Sequence, residues 1–321
     1  MAQRLKVLLI AQEAAGVQAA RLLAGSGHQV VAVVTGAGGG MASGLTVEGV
    51  ASRLGFPVWP IRRLKDKSLA EVVRSAGVDL LLNVHALCVL PGELVSAPRI
   101  GSFNLHPGPL PRYAGLNAPS WAIYQGERLH GVTVHWMDAG IDTGPIAYDS
   151  EMTIDDQDTG FTLSAKCVRA GVPLLQQLLQ AAAEGTVPKR PQPVQPRNYH
   201  GREVPQDGRL LWGVPAAQIV NFVRACDYLP FASPWGHPAA SVSGKDLLVL
   251  KATRTGEACT VPPGTVGTQV GSDVLVAAAD EWVQVRRVRF GGSALSAAEV
   301  LQPGQRFDLP GKSEEALSAA Q

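Results

Sequence analysis

The sequence predicts a doubly wound, mostly parallel α/β sheet followed by a smaller β-rich domain. Val7–Ile10 is an unbroken apolar run, as in a strand buried on both faces. A helical pattern with Val17, Ala20, Leu22 and Leu23 follows, and then a second apolar run, HQVVAVVT, from His28 to Thr35. This β-α-β opening calls for a parallel pair. Beyond a proline-rich stretch the pattern changes to short β-branched runs separated by turn signals, which reads as a small barrel. The expected partition is a first domain over 1–184, a proline-rich linker over 185–208, a barrel-like domain over 209–310 and a flexible polar tail over 311–321.

Taken in order, the first turn reads AQEAAG and lacks the GxGxxG cradle that would let the backbone approach a pyrophosphate, so a nicotinamide-cofactor reading fails. The glycine-rich Gly36–Gly44 follows the second strand and reads as a flexible surface loop. Thr46–Leu54 and Ser68–Ala76 read as helices, with a short extended piece at Val58–Pro60. Val78–Val84 is another buried strand, and His85–Pro91 follows its carboxyl end, where open α/β sheets bind ligands. Ser102–Leu105 is a short strand, Leu116–Gln125 a helix, and Gly131–Met137 alternates as a strand. Ile146–Met152 reads as a further strand, and Thr159–Glu184 as the longest helix, with Pro173 expected to kink or split it. Ala216–Ala225 is an amphipathic helix, and Leu247–Ala252, Gly264–Val270, Asp273–Ala278 and Trp282–Val288 read as the barrel strands.

The bulk numbers narrow the function. The 321 residues are 46% hydrophobic and 17% charged, enough for a sizeable core. The formal net charge is +1, so there is no cationic excess for tracking a phosphate backbone. Cys88, Cys167, Cys226 and Cys259 are far apart and form no CxxC pair, which suggests neither zinc nor a redox motif and fits a reducing, cytoplasmic setting. No apolar segment is long enough for a membrane span, and no metal-ligand spacing is clustered.

The chemistry concentrates in two stretches, GSFNLHPGPLPRYAG from Gly101 and GVTVHWMDAGIDTG from Gly131. In a strand, residues two apart share a face, so Asn104 and His106 can reach one cleft. An amide offers a neutral donor to a developing oxyanion, and an imidazole moves protons near neutral pH. Asp142 could orient that imidazole. No GxSxG elbow or motif-borne cysteine supplies a nucleophile. The set therefore suits direct attack of a substrate group on a carbonyl, through a tetrahedral intermediate.

Together, NLHPGPLPRYAG and GVTVHWMDAGIDTGPI resemble the signature of the 10-formyltetrahydrofolate-dependent formyltransferases. The resemblance extends to KVLLIAQEAAG and LVSAPRIGSFNLHP, and past the linker to GRLLW, PAAQIVNFVRACD and PPGTVG, which look like the smaller C-terminal domain of methionyl-tRNA formyltransferases and their relatives. It implies a Rossmann-like catalytic domain with an OB-like C-terminal domain. It implies catalytic roles for Asn104, His106 and Asp142, and folate held by loops carrying Leu87, Cys88, Leu90, Asp138 and Ala139. It also implies 10-formyltetrahydrofolate as formyl donor and an amine as acceptor.

Two departures bear on the acceptor. The tRNA-acting relatives resemble one another in a basic insertion after the second strand; this chain has no Lys or Arg from His28 to Ser52, which points away from tRNA. RACDYLPFASPWGHPAA resembles formyltransferases of natural-product pathways. The expected acceptor is an amino acid, a modified amino acid, an amino sugar or a carrier-tethered aminoacyl group, with Gln12, Tyr113 and Trp121 as candidate acceptor contacts. The alternatives are hydrolysis of the same donor to formate and tetrahydrofolate, and methionyl-tRNA formylation.

Overall fold

The computed structural model describes residues 3–36, 45–193 and 197–308; most of the glycine-rich loop and all of the tail anticipated above lie outside the described residues. A seven-stranded sheet is built from β1 (Lys6–Ala11), β2 (Gln29–Thr35), β3 (Val58–Pro60), β4 (Leu80–Val84), β5 (Gly101–His106), β7 (Leu129–Trp136) and β8 (Ile146–Thr153). Its order is β3-β2-β1-β4-β5-β7-β8, parallel through β5 and antiparallel at β7 and β8. The order reverses between β1 and β4, the crevice where doubly wound sheets take ligands.

The unbroken apolar character of β1 has a direct cause. Val7, Leu9 and Ala11 pack on one face, with residues of α1 (Glu13–Gly25), α2 (Val47–Arg53) and α6 (Gly160–Glu184). Leu8 and Ile10 pack on the other, with residues of α3 (Leu69–Ser75) and α4 (Gly92–Val95). Each such buried aliphatic side chain contributes about 1.5–3 kcal/mol. Thr46 caps α2 by accepting a hydrogen bond from the Gly49 amide at 3.0 Å. Pro173 does not split α6, which runs as one 25-residue helix; Leu174, Leu175, Leu178 and Leu179, all buried in the core, anchor the turns beyond it.

The alternation continues into the strands that carry the candidate site. Leu80, Leu82 and Val84 of β4, Phe103 and Leu105 of β5, and Val132 and Val134 of β7 all pack in the first core. The period of two then sends Asn83, Asn104, His106, Thr133 and His135 to the opposite face.

The chain forms two compact units. The first comprises residues up to Ala118, Leu129–Thr153 and Leu163–Gly201; the second comprises Pro119–Arg128, with all but the first residue of α5 (Ala118–Tyr124), Ile154–Thr162 and the chain from Arg202 onward. The stretch expected to be a linker therefore contributes to the first unit as far as Gly201. There β9 (Tyr199–His200) pairs in parallel with β6 (Ala114–Gly115), and Arg190 bridges Ile146 at the sheet edge.

The second unit holds an antiparallel sheet in the order β10-β11-β14-β13-β12, with β15 on β14. The strands are β10 (Ala239–Val242), β11 (Lys245–Ala258), β12 (Val266–Val270), β13 (Asp273–Ala277), β14 (Glu281–Phe290) and β15 (Ser293–Ser296). Val242 bridges Phe307 and Thr265 bridges Arg306, so one short segment joins the two edges of the sheet in barrel fashion. Its amphipathic helix α7 (Ala216–Ala225) begins where Asp280 accepts a hydrogen bond from the Ala216 amide at 2.8 Å.

Candidate active site

β5 delivers Asn104 and His106 to one face, and the turn after β7 delivers Asp142 to meet both. The Asn104 side-chain amide donates to Asp142 Oδ1 at 3.2 Å, and His106 Nδ1 lies 3.5 Å from Asp142 Oδ2. His106 and Asp142 are buried. The three residues anticipated from sequence are thus gathered about one carboxylate.

The loop after β5 closes over this group. Thr133, opposite His106 in register, donates its hydroxyl to the Gly108 carbonyl at 2.8 Å and accepts the Leu110 amide at 3.2 Å. A side chain at Gly108 would place its Cβ 2.8 Å from His106 Nε2, so only glycine lets the loop fold back here. Gly115, at φ +94, donates its amide to Asp142 Oδ2 at 2.8 Å. Behind the turn, Gln192 donates to the carbonyls of Asp142 and Gly144, each at 2.8 Å. Asp138 shapes the same turn by accepting the Gly140 amide at 3.0 Å and the Thr143 hydroxyl at 2.5 Å. Tyr113 and Asp142 both have left-handed backbones, at φ 57 and 54, a conformation that costs about 1–3 kcal/mol for such residues and clusters at functional sites.

The hydrogen bonds decide the proton positions. His106 Nε2 is 2.7 Å from the Tyr113 carbonyl, which can only accept, so Nε2 carries a hydrogen. In the neutral ring Nδ1 is then bare and faces Asp142. Burial is the largest influence on His106 and holds its pKa below the ordinary value; the Asp142 carboxylate and the Tyr113 carbonyl oppose it. For Asp142, burial alone would push the carboxyl up, but the neighbouring His106 and His135 rings and the Gly115 amide outweigh it and hold it well below the usual carboxylate range. A neutral imidazole beside a carboxylate is placed to take up a proton and share it.

Sequence reasoning missed His135. Its Nε2 lies 3.3 Å from Asp142 Oδ1 and 3.2 Å from the Asn104 amide nitrogen, and it is buried. Asn83, also buried, donates to Asn104 Oδ1 at 3.0 Å. The alternation of GVTVHW already put His135 on the face away from Val132 and Val134, but only the antiparallel register sets it opposite Asn104.

The loops expected to hold folate lie after β4 and β7. Leu87 and Val89 are 71% and 80% exposed, Cys88 is half-buried and Leu90 is buried; Asp138 and Ala139 are both exposed on the turn after β7. Exposed apolar side chains beyond the switch point suit a flat heteroaromatic ring. Gln12 is tied to this loop, because its Oε1 accepts the Leu87 amide at 3.2 Å. The other two expected acceptor contacts, Tyr113 and Trp121, are both buried. Tyr113 has no exposed side-chain surface, and its ring is packed near His200 and His130 while its carbonyl holds His106. Trp121 belongs to the second unit, where it packs edge-on against Trp235 at 4.9 Å and Tyr124 at 5.8 Å.

Among the described residues no group of three or more His, Cys, Asp or Glu side chains could hold a metal ion, and no helix is long and apolar enough to cross a membrane. A doubly wound sheet that presents amide, imidazole and carboxylate together on one face suits chemistry at a carbonyl group. Residues 8–179 match the formyl transferase family model and residues 204–304 match the formyl transferase C-terminal domain, and the chain belongs to this family.

Its relatives diverge in what they do. The chain is 31% identical to methionyl-tRNA formyltransferase of Bradyrhizobium sp. (strain ORS 278), covering 89% of this chain and 93% of the relative. It is 30% identical to mouse cytosolic 10-formyltetrahydrofolate dehydrogenase over 99% of this chain, but spans only 36% of that protein. The fold matches an N-formyltransferase from Helicobacter canadensis, whose structure contains folinic acid and dTDP-3-aminofucose. The TM-score is 0.68 at 18% identity, over 88% of this chain and 98% of the other.

Proposed function

We propose that the chain transfers a formyl group from 10-formyltetrahydrofolate to the amine of a small-molecule or carrier-tethered acceptor. The observation that carries this reading is the convergence of Asn104 and His106 on Asp142, with a bare imidazole nitrogen 3.5 Å from the carboxylate. The donor supplies an activated formyl carbon. Leu87, Cys88, Leu90, Asp138 and Ala139 stand on the loops that would hold it.

In the reaction the acceptor amine forms a C–N bond to the formyl carbon, and the carbonyl electron pair moves to oxygen. Asn104 donates a hydrogen bond to that oxyanion. The amine's proton passes to the His106–Asp142 pair. Protonated His106 then has a charged Nδ1–H for the oxyanion, and returns the proton as the folate nitrogen leaves. No proton is gained or lost overall.

What the chain lacks and what it resembles support this choice of acceptor. The absence of Lys and Arg from His28 to Ser52 argues against a tRNA partner. The fold neighbour bound to an amino-sugar nucleotide makes a small amine the better choice. The test is release of tetrahydrofolate from 10-formyltetrahydrofolate with a panel of amino acids, amino sugars, amino-sugar nucleotides and aminoacyl carrier proteins, together with initiator methionyl-tRNA and a no-amine control. Formylated product with one class of small amine supports the proposal. Full-rate turnover in the control would replace it with the hydrolase reading, which the mouse dehydrogenase relative keeps specific.

A further inference from the structure

Three adjacent strands place three polar side chains in one row. Asn83 of β4 is the register partner of Asn104, and Asn104 is the register partner of His135 on β7. Because the alternation of all three strands puts these residues on the same face, their side chains meet in sequence across the sheet. Asn83 Nδ2 donates to Asn104 Oδ1 at 3.0 Å. Asn104 Nδ2 is 3.2 Å from both His135 Nε2 and Asp142 Oδ1. At the far end His135 Nδ1 is 2.7 Å from the Trp136 carbonyl.

The carbonyl at that end sets the direction of the whole row. It can only accept, so His135 Nδ1 must carry the hydrogen, and in the neutral ring Nε2 has a lone pair. A lone pair facing Asn104 requires the amide's NH2 end on that side and its oxygen on the side of Asn83. Reversal would set the Asn104 oxygen against a bare nitrogen and a carboxylate at once. Asn83 completes the lock from the opposite side. It does so at a cost, since its own Oδ1 is buried without a hydrogen-bond partner, a penalty an apolar residue would avoid.

We propose that His135 and Asn83 are positioning residues: the row Asn83–Asn104–His135 fixes the Asn104 amide with its NH2 end turned toward His135 and Asp142, where the reacting carbonyl would be received. This rests on the formyl-transfer reading above. A fixed donor needs no reorientation when charge develops on the substrate oxygen.

The test uses the full chain. Two-bond ¹H–¹⁵N spectra report the histidine tautomer, and His135 is expected as the Nδ1–H form with a pyridine-like Nε2; an Nε2–H ring would overturn the proposal. His135→Phe keeps the ring shape and removes the acceptor, whereas His135→Gln returns an acceptor near the Nε2 position. With 10-formyltetrahydrofolate and the best amine of the panel, His135→Phe should lower kcat about tenfold or more with donor KM little changed, and His135→Gln should recover most of it. Asn83→Leu should lower kcat in the same manner without lowering the melting temperature. Equal kcat in all variants, or a loss that follows melting temperature and not the acceptor atom, refutes the positioning role. Absence of formyl transfer by the wild-type chain would instead refute the underlying reading and leave the tautomer result standing.

Discussion

At the scale of single residues, Asp142 joins the whole site. One oxygen receives the Asn104 amide, the other receives the Gly115 amide and faces His106, and its left-handed backbone aims it there. Asparagine tolerates the same backbone, so Asp142→Asn should retain the fold while abolishing proton uptake by the pair. Formyl transfer is expected to fall about a hundredfold or more, as for Asn104→Ala, with circular dichroism unchanged. His130 makes a separate pH prediction. Its Nε2 donates to the Pro107 carbonyl at 2.9 Å, and burial lowers its pKa to about 4. A histidine with a lowered folded pKa binds its proton more readily when unfolded, so its stabilising contribution is complete above the ordinary value near 6.5 and is lost as pH falls toward 4. That loss is about 3 kcal/mol. Urea midpoints measured from pH 7 to pH 4 should fall more steeply for the wild type than for His130→Asn.

At the scale of elements, the site depends on pairs distant in sequence. The two-residue strand Ala114–Gly115 is held by Tyr199–His200, and this pairing brings the Gly115 amide to Asp142. A Cβ at Gly115 would fall 2.1 Å from the His200 carbonyl oxygen, at a φ of +94 that disfavours any side chain. Gly115→Ala should therefore separate β6 from β9 and withdraw a donor from Asp142, lowering both the melting temperature and kcat. The loop after β4 behaves differently. Leu87 is 71% exposed, so Leu87→Asp should leave the melting temperature unchanged. If that loop holds the pterin, donor KM should rise about tenfold, the worth of one apolar side chain packed on the ring.

At the scale of the whole molecule, the units do not follow the linear partition that composition suggests. Pro119–Arg128 and Ile154–Thr162 belong with the C-terminal unit. There the Ser120 hydroxyl donates to the Ala225 carbonyl at 3.0 Å, and the Arg224 guanidinium reaches the carbonyls of Asp155, Asp156 and Asp158 at 3.2, 2.6 and 3.0 Å. A chain ending at Gly201 would strip these segments of their partners, including Trp235 beside Trp121. It should give little soluble protein and no cooperative melting transition, although it contains Asn104, His106 and Asp142.

The local pattern of the sequence determined the strands, the alternation of their faces and the candidate residues Asn104, His106 and Asp142. Asn104 and His106 share a face because a strand has period two, and the Gly-Ile-Asp-Thr-Gly turn marks Asp142 by its chemistry. Register between strands has no such local signature. Only the tertiary structure set His135 and Asn83 on either side of Asn104, supplied the Tyr113 carbonyl and Gly115 amide, and brought Gln192 from the expected linker to the Asp142 turn. Backbone groups carry no residue identity, and cross-strand neighbours are chosen by the packing of the whole sheet.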